Sequence, residues 1–180
     1  MIKISYTAML VLISLLWLIS RIRINQGKTV SCKREVQLML VYICLIVIVR
    51  FTFCPFGKVD GRIQPLVFYP DNWFPFRINW TPFVHLLDYP EKREILLNLI
   101  GNTAMFIPVG IVWPSVYREL DKPWKVISAG VGFSLCIEIL QLPFYDRVSD
   151  VDDLILNSIG FLIGYGVYLL IKQIQKKSRP

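Results

Sequence analysis

The sequence is poor in the residues from which metal centres and disulfide frameworks are usually built. It has a single histidine and four cysteines, and none of them follows a CxxC or a cysteine–histidine zinc spacing. Neither a structural zinc site nor a disulfide framework is therefore predicted. The chain also lacks a Gly-rich phosphate loop and a nucleophile signature, and Ser149 has no visible base. Familiar nucleophilic and nucleotide-dependent enzymes are thus disfavoured.

Acidic residues are also scarce, since 13 Asp and Glu stand against 20 Lys and Arg, for a net charge of +7. This excess of cations does not predict a nucleic-acid partner. The cations cluster between long apolar runs and at the C-terminus, where they set membrane topology and contact anionic lipids. Membrane lipids are therefore the expected partners.

Apolar residues are abundant, at 54% of the 180 residues, and the mean hydropathy is +0.52. Five apolar runs are close to the ~20 residues that a helix needs to cross a bilayer. They are Ile4 to Ser20, Val36 to Phe53, Ile95 to Trp113, Val126 to Leu142 and Leu154 to Ile171. The predicted fold is all-α, a polytopic membrane helical bundle with about five transmembrane helices. Arg21 and Arg23 follow the first run without a cleavage site, which predicts an uncleaved anchor.

The basic segments predict the orientation of the bundle through the positive-inside rule. They contain Arg21, Arg23, Lys28, Lys33, Arg34, Arg118, Lys122, Lys125, Lys172, Lys176, Lys177 and Arg179. If these segments are cytoplasmic, the N-terminus lies outside and the C-terminus inside. The predicted organisation is two helices with a basic cytoplasmic loop (1–54), an outer interfacial loop (55–94), a core of three helices (95–171) and a basic cytoplasmic tail (172–180).

Polar residues inside the last three apolar runs occur at helical spacings and at one depth. Asn98 and Asn102 are four residues apart, and Glu138 precedes Gln141 by three. Such groups are expensive in lipid and face a bundle interior or an aqueous cavity. The sequence therefore predicts one polar pocket in the outer third of the membrane. Its members are Asn98, Asn102, Glu138, Gln141, Arg147, Asp150, Asp152, Asp153 and Asn157, and the loop residues covering it are Asn79, Trp80, Pro82 and Phe83.

Simpler interpretations of these residues stay open. Gly160 and Gly164 are typical of a closely packed helix face, and the two asparagines could serve only as contacts between helices. Asp150 and Asp152 could cap the fifth helix. Glu138 is harder to explain structurally, because a buried carboxylate must be paired with a cation, bind a metal or stay protonated. Arg147 is the expected cation partner of the acidic residues.

Four segments of the chain occur in a recognisable order and spacing. They are N-W-T-P-F at Asn79 to Phe83, L-N-L-I-G-N-T-A-M-F-I-P-V-G at Leu97 to Gly110, E-I-L-Q at Glu138 to Gln141, and R-V-S-D-V-D-D-L-I-L-N-S-I-G-F-L-I-G at Arg147 to Gly164. Together these segments resemble the VanZ-like family. The resemblance implies a small multi-pass protein of the bacterial cytoplasmic membrane. It also implies that the protein lowers susceptibility to teicoplanin and related lipoglycopeptides.

Two functions remain from the sequence. The first is a binding protein whose outward-facing pocket takes the headgroup of a lipid or of a lipid-linked cell-wall precursor, without any cofactor, and so limits access of a lipoglycopeptide. The alternative is a metal-assisted membrane enzyme that modifies a lipid-linked envelope substrate. In it Glu138, Asp150 and Asp153 would hold a divalent cation such as Mg²⁺, because all-oxygen ligands suit that ion. A proton-coupled carrier is disfavoured, since the chain shows no internal repeat.

Overall fold

The computed structural model describes residues 2–26, 31–54, 58–59, 62–69, 77–83, 92–145 and 147–178, without the side chains of 58–59, 62–63 and 92–94. Its helices are α1 (Tyr6–Asn25), α2 (Cys32–Phe53), α3 (Lys92–Val116), α4 (Pro123–Gln141) and α5 (Val151–Lys177). Its short strands are β1 (Ile2–Ile4), β2 (Lys58–Val59), β3 (Arg62–Ile63), β4 (Leu66–Phe68), β5 (Ile78–Asn79) and β6 (Ser149–Asp150).

All five helices are long and apolar enough to cross a membrane, and the mean hydropathy of an 18-residue stretch within each is between 1.4 and 2.3. The predicted all-α, polytopic membrane architecture is thereby confirmed. The ends of the helices differ from the ends of the predicted apolar runs, because polar residues form the first or last turn of several helices. Ser5 caps α1 through its side chain, and residues 172–177 of the predicted tail continue α5. The orientation of the termini stays a prediction.

The first of two compact units contains residues 1–75 and 143–147. Its helices α1 and α2 meet through a hydrogen bond of 2.6 Å between the hydroxyls of Ser14 and Tyr42 and through an ion pair between Arg21 and Glu35. Strand β1 pairs antiparallel with β4. No residue of α1 is buried, and the helix keeps a large exposed apolar surface.

The second unit contains residues 76–142 and 148–180, and in it α3 and α5 pack at backbone contact. A Cβ atom added at Gly160 or Gly164 would lie 2.0 Å from the carbonyl oxygen of Thr103 or 2.1 Å from that of Ile107, respectively. Only glycine permits so close an approach, which confirms the predicted packing role of these two residues. Phe161 is fully buried next to Gly130 of α4 and completes the three-helix core.

Two very short strands join distant parts of the second unit. Strand β5 pairs in parallel with β6, with Ile78 opposite Ser149 and Asn79 opposite Asp150. The backbone amide of Ser149 also donates to the carbonyl of Arg77 at 3.1 Å. This pairing ties the chain just before α5 to a segment about 70 residues earlier, and it brings the polar side chains of both segments together.

Candidate functional site

Glu138 is the centre of the candidate site, because it is a buried carboxylate inside a membrane-spanning helix. It is 4% exposed. Its Oε2 atom accepts one hydrogen bond from the backbone amide of Asp150 at 3.0 Å and one from the Ser149 hydroxyl at 3.2 Å. These bonds join the last turn of α4 to the start of α5. The side chain is turned inward because Gly130, Ser134 and Glu138 recur every four residues on the buried face of α4.

The N-terminal end of α5 is held by Asp150, which caps the helix as the sequence suggested. One oxygen of its side chain accepts the backbone amide of Asp152 at 2.9 Å. The other accepts the side-chain amide of Asn79 at 3.1 Å. A loop residue that was predicted to cover the site is thus bonded directly to it.

Asp152 is buried, at 5% exposure, and does not act as a second cap. Its two oxygens both receive the backbone amide of Phe83, at 2.9 and 3.1 Å. Phe83 has a φ angle of 62°, which is an uncommon backbone conformation for a residue other than glycine. Its side chain is 46% exposed, Trp80 is 75% exposed, and Pro82 is exposed as well. The described loop therefore contacts the site through the side-chain amide of Asn79 and the backbone amide of Phe83. The Trp80 ring remains outside the site.

A second set of hydrogen bonds connects α3 to α5. The side-chain amide of Asn102 donates to a carboxylate oxygen of Asp153 and to the side-chain oxygen of Asn98, the latter at 2.8 Å. The two asparagines lie one turn apart on α3, as their spacing predicted. They take part in a contact between helices, in which the partner group on α5 is the carboxylate of Asp153 and not another amide.

A third polar contact lies deeper between α4 and α5. Asn157 donates from Nδ2 to the hydroxyl of Ser134 at 3.1 Å, and both residues are almost completely buried, at 1% and 0% exposure. The Oδ1 atom of Asn157 has no hydrogen-bond partner in the described part of the chain. Ser134 was not predicted as a site residue, although its position four residues before Glu138 was a usable signal.

The remaining predicted residues have different placements. Gln141 is buried on the same face of α4, at 5% exposure. Arg147 belongs to the first unit, where its backbone amide donates to the carbonyl of Phe144 at 3.2 Å. Its pairing with the carboxylates of the second unit stays a prediction.

Acceptor groups dominate the electrostatics of the site. Asp150 and Asp153 lie close enough to Glu138 for Coulombic interaction. The hydrogen bonds of Glu138 come from neutral donors, and it forms no ion pair with any residue that the structure describes. Within that same part of the chain, no three His, Cys, Asp or Glu side chains are arranged to hold a metal ion. The predicted metal candidates Glu138, Asp150 and Asp153 therefore do not form a three-ligand centre by themselves.

Comparison with known proteins agrees with the resemblance in the motifs. The chain is 29% identical to Protein VanZ of Enterococcus faecium over 97 residues, which cover 54% of this chain and 55% of that protein. The chain thus matches only about half the length of this curated relative. No solved structure gives a significant match. The family model described as VanZ/LLP1 matches residues 39–172, a range that contains all of α3, α4 and the polar site. The chain belongs to the VanZ/LLP1 family.

Proposed function

We propose that this protein acts in the bacterial cytoplasmic membrane and lowers susceptibility to teicoplanin-type lipoglycopeptides. Family membership and the five membrane-spanning helices support a membrane role. The resemblance to the VanZ-like family suggests resistance to these drugs. Teicoplanin-type drugs carry a lipid tail that anchors them at the membrane surface, so a protein in the membrane can affect them.

The buried carboxylate of Glu138 is the observation that carries the proposal for the site. A carboxylate inside a membrane-spanning helix is costly and is retained mainly where it has a function. Here it is joined to the start of α5 by two hydrogen bonds, and Asn102 of α3 bonds to the same helix through Asp153. Three helices thus contribute polar groups to one end of the unit. We propose that this end binds the headgroup of a membrane lipid or of a lipid-linked cell-wall precursor.

The distribution of cations supports an outward-facing site. Glu138 lies in the last turn of α4, whereas Lys122 and Lys125 lie at the beginning of that helix. Lys176 and Lys177 lie in the last turn of α5, far along that helix from Asp150. The basic end of the unit and the polar site are therefore at opposite ends of both helices. If the basic end is cytoplasmic, the site faces outward.

The metal-assisted enzyme remains the alternative, but no specific observation favours it. The described carboxylates do not form a preassembled metal centre. Their hydrogen bonds connect helices and loops, which is the expected arrangement for a preorganised binding site. Binding is therefore the function that we adopt.

Expression of the chain in a susceptible Gram-positive host tests the proposed function. We expect the minimum inhibitory concentration of teicoplanin to rise clearly more than that of vancomycin, because only the former drug depends on a lipid tail. The empty vector and a vector encoding an unrelated membrane protein are the controls. An equal rise for both drugs would indicate altered precursor chemistry and would contradict protection at the membrane.

A further inference from the structure

We infer that the site recognises a primary ammonium group, such as the one on an aminated lipid headgroup or on a lysine side chain of a wall precursor. This inference rests on the proposed headgroup-binding function and specifies the chemistry of the headgroup. It differs from a phosphate site, which would need free hydrogen-bond donors. Three independent features of the described residues lead to it.

Five donor groups of the site already bond within the protein. Asn79, Asn102 and Asn157 each donate from Nδ2 to a neighbouring side chain. The hydroxyl of Ser149 and the backbone amide of Asp150 both donate to Glu138. A phosphate group accepts hydrogen bonds but does not donate them when ionised. At Asn102, Ser149 and Asp150, whose donor protons all take part in such bonds, it would therefore compete with the internal bonds instead of adding to them.

Acceptor capacity, in contrast, is left over. Both hydrogen bonds to Glu138 use Oε2, and Oε1 accepts none from the described residues. An ionised carboxylate offers about four lone-pair positions, so roughly half of this capacity is open. Asn157 lies one turn beyond Asp153 on α5, and its nearly inaccessible Oδ1 also lacks a donor. Its Nδ2 bonds to Ser134, one turn before Glu138 on α4, so the amide lies in the same seam between the helices.

The charge of Glu138 also needs compensation. It lies in the last turn of α4, where the end of the helix dipole and the terminal carbonyl groups carry partial negative charge. Asp150 and Asp153 add negative charge nearby, and no described residue forms an ion pair with Glu138. A buried carboxylate in such surroundings requires a cation or a proton. An ammonium group supplies the positive charge together with three donors and no acceptor.

Lipid binding by the purified full-length chain tests this inference. Native mass spectrometry from detergent micelles would compare equal amounts of dioleoyl phosphatidylethanolamine, phosphatidylcholine and phosphatidylglycerol. We expect phosphatidylethanolamine to be retained about tenfold more than phosphatidylglycerol, the ratio expected for one charge-assisted hydrogen bond. Phosphatidylcholine should be retained less than phosphatidylethanolamine, because its quaternary ammonium has no N–H donor. A soluble lysine-containing peptide distinguishes the sources: displacement by the peptide indicates a precursor side chain, and no displacement indicates the lipid headgroup.

A matched pair of variants completes the test. Glu138→Gln keeps an acceptor for the amide of Asp150 but removes the charge, and should reduce retention of phosphatidylethanolamine by about tenfold. Glu119→Gln changes an exposed carboxylate outside the site and should leave retention unchanged. Equal retention of phosphatidylglycerol, lost in Glu138→Gln, would overturn the ammonium inference but leave the headgroup site standing. If Glu138→Gln retained every lipid as the wild type does, the proposed site itself would be wrong.

Discussion

The side chain of Glu138 shows how a single residue can connect two helices in the membrane. Its carboxylate is buried, yet it is bonded to a hydroxyl and a backbone amide at the beginning of α5. Hydrogen bonds of this kind stabilise an ionised carboxylate, whereas burial and the neighbouring carboxylates disfavour it. The residue therefore contributes to structure through Oε2, while Oε1 accepts no hydrogen bond from the described residues.

At the scale of residues, the placement of side chains that recur at helical spacing was predictable from the sequence. The partners of single hydrogen-bond donors were harder to predict. The pairs Asn98 with Asn102 and Glu138 with Gln141 share faces of their helices, as their spacing required. The roles of the Ser149 hydroxyl and of the Phe83 backbone amide were not predicted. A hydroxyl or a backbone amide has no sequence pattern that reveals its partner, and both bonds depend on tertiary contacts.

At the scale of secondary structure, the close contact between α3 and α5 is the feature on which the site depends. Gly110 and Gly164 approach the backbone of the opposite helix, and this contact fixes the depth at which Asn102 meets Asp153. Close packing at small residues is one of the forces that hold helices together in lipid, beside interhelical hydrogen bonds. Any side chain larger than hydrogen at these positions must separate the helices.

We therefore predict that Gly164→Ala destabilises the protein by about 2 kcal/mol or more, because the added Cβ would overlap a backbone oxygen that cannot rotate away. Thermal unfolding in detergent, followed by circular dichroism, would measure the effect. Gly166→Ala on the same helix is the matched control, since a Cβ there meets nothing within 4 Å. Equal melting temperatures for the two variants would contradict the packing that we describe.

The existence of all five helices was predictable, but their ends and the short strands were not. Long apolar runs identify a membrane helix because its length is set by the bilayer. The first turn of α5 contains Asp152 and Asp153, so a search for apolar residues places its start too late. The pair β5–β6 has only two residues in each strand, and no periodicity can be detected in so short a segment.

At the scale of the whole molecule, the account requires the site to face outward. We predict an outside N-terminus and an inside C-terminus, because the basic segments should remain in the cytoplasm. In a variant with its four cysteines replaced, Trp80→Cys should react with an impermeant maleimide in intact cells, whereas Asp121→Cys should not. Both positions are exposed, so accessibility within the protein does not limit the reaction. Labelling of position 121 alone would place the polar site on the cytoplasmic side.

The central claim is that the buried polar site around Glu138 produces the protection. Its most direct test is the teicoplanin susceptibility of cells expressing Glu138→Gln, compared with wild type and with the exposed Glu119→Gln at equal protein levels by immunoblot. The account predicts that Glu138→Gln loses most of the protection, because one charge-assisted interaction is worth about tenfold in binding, while Glu119→Gln keeps it. Full protection by Glu138→Gln at the wild-type protein level would contradict the account.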